Sequence, residues 1–137
     1  MLRTRKDSKL EALKSVPLFA GLSKRDLSAV GRIADELDFP AEKELIREDE
    51  PGSQFFILLE GEAVVRRRRR KVNTLGPGDF FGEIALLSDR PTTATVATIT
   101  PACVAIITRT SFKQLLRGSP QVQLKVLKAL ADRVPDD

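Results

Sequence analysis

The chain has 137 residues, 42% hydrophobic and 31% charged, which is the balance of one soluble domain and too little for two. With no His and a single Cys, intramolecular disulfides, His-containing zinc sites, four-cysteine clusters and nucleophile–His relays are all excluded, so neither a metal nor an enzyme is expected. The net charge of +4 is local: Arg66 to Lys71 supplies six of the 23 basic residues, and without it 17 face 19 acidic ones, so general affinity for nucleic acid or membrane surfaces does not follow.

A short amphipathic piece around Leu10 and Leu13 leads into an apolar connector, Val16 to Leu22. The first clear helix is expected from Ser23 to Leu37, where Leu27, Val30, Ala34 and Leu37 recur at helical spacing. Ser23 and Asp26 form a capping-box-like start, and Phe39-Pro40 ends the segment.

From Phe39 to about Thr108 short β-rich stretches alternate with turn signals at Pro51-Gly52, Gly61, Gly76-Pro77-Gly78 and Pro101. Phe55 to Leu59 and Ala102 to Ile107 are apolar at consecutive positions, so each is expected to be a strand buried on both faces or bent across a core. Glu60-Gly61-Glu62 suggests a hairpin between Phe55–Leu59 and Ala63–Val65, and Thr93 to Ile99 reads as another strand. The Arg66 to Lys71 run falls between the strands Ala63–Val65 and Val72–Leu75, as a solvated hairpin tip. About seven strands at this spacing suit a sandwich or jelly roll. Cys103 sits in an apolar strand and is expected in the core.

Two helices follow. Thr110 is the expected cap of one carrying Phe112, Leu115 and Leu116 and stopped by Gly118; Ser119-Pro120 opens a second, to about Val134, carrying Val122, Val126, Leu127 and Leu130. The domain plan is a helical segment over 8–37, a β-roll over 38–108 and helices over 110–134: mainly β with flanking helices. No apolar run approaches the roughly 20 residues of a membrane span, and no secretory signal is visible, so a reduced cytoplasmic setting is expected.

The densest motif is Gly76-Pro-Gly-Asp-Phe-Phe-Gly-Glu-Ile-Ala-Leu-Leu87, followed after a short spacer by Pro91-Thr-Thr-Ala-Thr-Val96. Gly82 permits a tight bend, a short helical turn from Glu83 would aim free amides at an anion, and Thr92, Thr93 and Thr95 add hydroxyls. Together they make a candidate phosphate cradle.

Phe81-Gly82-Glu83-Ile84-Ala85-Leu86 with Pro91-Thr92-Thr93-Ala94-Thr95-Val96 resembles the phosphate-binding cassette of the cyclic nucleotide-binding domain family. Leu18-Phe19-Ala20-Gly21-Leu22-Ser23, Pro51-Gly52-Ser53, Glu60-Gly61-Glu62 and Leu75-Gly76-Pro77-Gly78-Asp79-Phe80 look like further family signposts in order, so the resemblance covers roughly Leu10 to Val134. It implies a β-roll that binds cAMP or cGMP. Position by position, it implies that Glu83 accepts the ribose 2′-hydroxyl, the Ile84 and Ala85 amides face the cyclic phosphate, Gly82 lets the backbone approach, and Thr93 stands beside the phosphate.

One position departs. Where the family carries the arginine that pairs with the phosphate, this chain has Thr92, whose neutral hydroxyl cannot replace a charged bidentate fork. A carboxylate and a phosphate ~6 Å apart at an effective dielectric of ~20 repel by about 3 kcal/mol, roughly a hundredfold in affinity. Arg90 is the nearest candidate to compensate.

The leading expectation is a non-enzymatic sensor of a cyclic nucleotide, cAMP ahead of cGMP, that relays occupancy through its last helix to a protein partner or a second copy. The alternative is a degenerate fold without nucleotide that serves as an interaction or dimerisation module. No DNA-reading helix-turn-helix follows Val134, so nucleic acid is not an expected partner.

Overall fold

A strand with apolar residues on both faces needs a cover on each side, and the architecture supplies two. The computed structural model describes residues 5–83, 88 and 90–133. Strands β1 (Asp35–Phe39), β2 (Glu44–Ile46), β3 (Gln54–Glu60), β4 (Ala63–Arg67), β5 (Arg70–Leu75), β6 (Phe80–Phe81), β7 (Thr95–Thr98) and β8 (Ala102–Thr108) form two antiparallel four-stranded sheets, ordered β1-β8-β3-β6 and β2-β7-β4-β5. The chain passes back and forth between the sheets in the manner of a jelly roll. Helices α1 (Arg5–Lys14) and α2 (Lys24–Ile33) precede the roll, with a 3-10 turn at Pro17–Phe19 between them, and α3 (Arg109–Gly118) and α4 (Pro120–Arg133) follow it.

The first sheet lies between the helices and the second sheet. On its helix side Phe55, Ile57, Ala105 and Ile107 pack with Leu13, Phe19, Val30, Phe112, Val122 and Val126. On its other side Phe56, Leu58, Val104 and Ile106 meet Ala63, Leu75 and Val96 of the second sheet. Because β3 and β8 are the two central strands of that sheet, their consecutive positions feed two different cores.

Four expectations are corrected. The helix begun at Ser23 ends at Ile33, and Asp35–Phe39 is a strand paired with β8, Leu37 standing opposite Val104 and 47% exposed. The backbone edge of β8 needs a partner there, and that pairing overrides the helical spacing of Ala34 and Leu37. Glu60-Gly61-Glu62 is no hairpin but the crossing from the first sheet to the second. Gly61, at φ 92°, passes so close to the β7–β8 corner that a Cβ there would lie 2.5 Å from the Pro101 carbonyl oxygen.

The cap of α3 is Thr108, whose hydroxyl accepts from the Ser111 N–H at 3.2 Å, rather than Thr110. A cap must stand three residues before its donor in extended backbone, and β8 ends at Thr108. Leu127 does not join the packed stripe of α4. Val122 and Val126 are buried, whereas Leu127 is 62% exposed.

Ser23 and Ser119 cap α2 and α4 as expected, accepting from the N–H groups of Asp26 and Val122. Ser119 also donates to the Asp26 carboxylate at 3.3 Å, which ties the start of α4 to α2. Cys103 is buried, and its thiol donates to Glu36 Oε1 at 3.2 Å. Val134 lies outside the described residues.

Candidate functional site

The site is built on the turn between β5 and β6. The Asp79 carboxylate accepts from the Gly76 N–H at 2.8 Å, while the Asp79 N–H returns to the Gly76 carbonyl at 3.1 Å. Gly78 donates to the Leu58 carbonyl and the Asp79 carbonyl accepts from the Leu58 N–H, so the turn is clipped to β3. Phe80 and Phe81 then pair with Ile57 and Phe56; the Phe81 ring stacks on Phe56 at 4.9 Å, and Phe80 meets Phe55 on the helix side.

Next comes Gly82 at φ 92°, where a Cβ would lie 2.7 Å from the Gln54 carbonyl oxygen. Only glycine lets the chain pass β3 this closely. The bend delivers Glu83 into the wall of a cavity of about 590 Å³, with the residue 2% exposed. A carboxylate is rarely buried to that extent without polar company, so this position is not an ordinary surface glutamate.

Gly82, Glu83, Thr92 and Thr93 all line this one cavity. Thr93 is exposed at its mouth; Thr92 is buried. The Thr92 hydroxyl donates to the Arg47 carbonyl and accepts from the Glu50 N–H, and its backbone exchanges bonds with Glu50 and Asp49. Its role here is to fasten the loop after β2 to the strand entering β7, a seam that the Glu48 N–H continues by donating to the Thr95 hydroxyl at 3.0 Å.

Arg90 is exposed, its N–H reaching the Ser88 hydroxyl at 3.4 Å, and it is not among the cavity-lining residues. Ile84 and Ala85, the expected amide donors, lie outside the described residues.

The opposite wall belongs to β4 and β5, which carry no recognisable motif. Val65, Arg67, Asn73 and Leu75 line it, and Asp79 adds a second carboxylate. A weaker signal was present in the sequence: inward positions alternate along β4 from Ala63 through Val65 to Arg67.

Among the described residues, no cluster of three or more acidic, His or Cys side chains could hold a metal ion, and no helix is long and apolar enough to cross a membrane.

Residues 36–119 match the cyclic nucleotide-binding domain family. The chain belongs to that family. A cAMP-dependent protein kinase regulatory subunit of Emericella nidulans is 37% identical over 106 residues, which make up 76% of this chain and 26% of that protein. The chain thus spans about a quarter of the length of the curated relatives it matches.

Among solved structures, the regulatory domain of Toxoplasma gondii PKA with cAMP is similar at TM-score 0.81 and 28% identity, over 93% of this chain and 50% of that one. The regulatory subunit of a cAMP-independent protein kinase A from Trypanosoma brucei is similar at TM-score 0.83 and 26% identity, over 94% and 46%. Of these two similar structures, one holds cAMP and the other belongs to a protein kinase A described as cAMP-independent.

Proposed function

We propose that the chain is a regulatory module that senses a cyclic nucleotide, cAMP ahead of cGMP, and performs no catalysis itself. The observation that carries this reading is Glu83, a buried carboxylate set by the Gly82 bend into the wall of a cavity of about 590 Å³. That volume lies within the range of small-molecule sites. In this reading Glu83 accepts the ribose 2′-hydroxyl, the Ile84 and Ala85 amides and Thr93 face the cyclic phosphate, and Val65 and Leu75 flank the less polar part of the ligand. Occupancy shifts the population of α4 relative to the roll, with an energy equal to the ligand's differential affinity for the two positions. Leu124 and Leu127, 68% and 62% exposed on α4, are where a protein partner or a second copy would read that shift.

A second reading has its own observation. Thr92 spends its hydroxyl on the Arg47 carbonyl, which supports a roll that has given up the nucleotide and serves as an interaction module.

Titration calorimetry with cAMP and cGMP separates the two. Sensing predicts saturable micromolar binding that Glu83→Ala weakens by about 10- to 100-fold, as expected for loss of a hydrogen bond to a charged group. The interaction module predicts no heat up to millimolar nucleotide.

A further inference from the structure

We propose that Arg67 is the cation of this cavity and recognises the charged phosphate of the ligand, in place of a guanidinium from the 90–93 segment; the assignment rests on the sensing function proposed above.

The strand register places it. Arg66 stands opposite Thr95 and Val65 opposite Val96, so Arg67, one step further along β4, runs beside Ala94 and Thr93. Ala63, Val65 and Arg67 share a face of β4; Ala63 packs in the inter-sheet core, and Val65 and Arg67 line the cavity. The register of β5 slips between Val65 and Arg66, from Asn73 to Lys71, and this leaves Lys71 opposite Arg66 rather than on the cavity side. Of the six consecutive basic residues, Arg67 alone lines the cavity among the described residues.

The charges around the cavity ask for such a group. Asp79 and Glu83 both line it, and among the described lining residues Arg67 is the only cation. A cyclic phosphodiester entering past two carboxylates is repelled unless a positive charge lines the same cavity. The Arg67 guanidinium has no hydrogen bond or ion pair among the described residues. Arg47, by contrast, is held by Glu44 at 2.9 Å and by Glu50 at 3.6 Å. A planar guanidinium can grip two phosphate oxygens at once.

The experiment is calorimetric titration of the full chain with cAMP and cGMP, using Arg67→Gln, Arg67→Lys and the run-mates Arg66→Gln and Arg69→Gln, with thermal melting as the folding check. Expected are a loss of at least roughly tenfold in Arg67→Gln, partial retention in Arg67→Lys, less than about twofold change in the two run-mates, and a weaker salt dependence of binding in Arg67→Gln than in the parent. If the parent binds and folded Arg67→Gln binds equally well, or if all three Gln variants lose affinity alike, the assignment to Arg67 is overturned while sensing stands. If the parent binds neither nucleotide, both fall.

Discussion

Cys103 and Gly82 show how far a single residue can be read. The thiol is expected in the core from its apolar strand, and it is there; what the sequence conceals is its neighbour. Glu36, from the segment that reads as helix, arrives on β1 and accepts the thiol proton. Burial, first, and then the Glu36 carboxylate push the Cys103 thiol far above its ordinary value of 9.0. A raised acid holds its proton more tightly in the folded chain than in the unfolded one. Its contribution to stability is therefore whole below about pH 9 and is lost as pH rises above it, at up to about 1.4 kcal/mol per pH unit. Urea denaturation of the parent and Cys103→Ala between about pH 7 and 10.5 should show the parent losing stability faster above about pH 9; parallel curves would contradict this. Gly82 and Glu83 were legible because the bend and the acid are written side by side. The engagement of Thr92 was not, because its partners, Arg47 and Glu50, lie 45 and 42 residues away in the chain.

At the scale of elements, strands buried on both faces were the most readable, since an unbroken apolar run has few other homes. The misreadings came where tertiary pairing decided the outcome, as in β1 and in the crossing at Gly61. The basic hairpin was half legible: a hairpin was expected, but its strands run further into the arginine run, to Arg67 on one side and from Arg70 on the other. That leaves a two-residue turn with Arg68 at φ 52° and Arg69 at φ 68°, held by the Arg68 N–H on Glu48 Oε1 at 2.9 Å. Two positive φ values favour Asn-Gly over arginine. The double replacement Arg68→Asn with Arg69→Gly should stabilise the chain by about 1 kcal/mol, a rise of about 3–5 °C in a melting curve. An unchanged or lower Tm would show that the arginines are not strained there.

For the whole molecule, the roll was legible as a class because turn signals and strand lengths repeat along the chain, but the assignment of strands to sheets was not. Neither was the cavity, since its two walls come from segments that meet only when the two sheets close on each other. The walls are chemically unlike, with Gly82 and Glu83 on one side and Arg67 with Asn73 on the other. A ligand that bridges them would need a hydroxyl donor for the acid and an anion for the cation, and a cyclic nucleotide carries both.

The most direct measurement is the crystal structure of the chain grown with cAMP. The account predicts the nucleotide between these walls, its 2′-hydroxyl donating to the Glu83 carboxylate at about 2.7 Å. A structure grown at saturating nucleotide with that space filled by the protein's own side chains would contradict it.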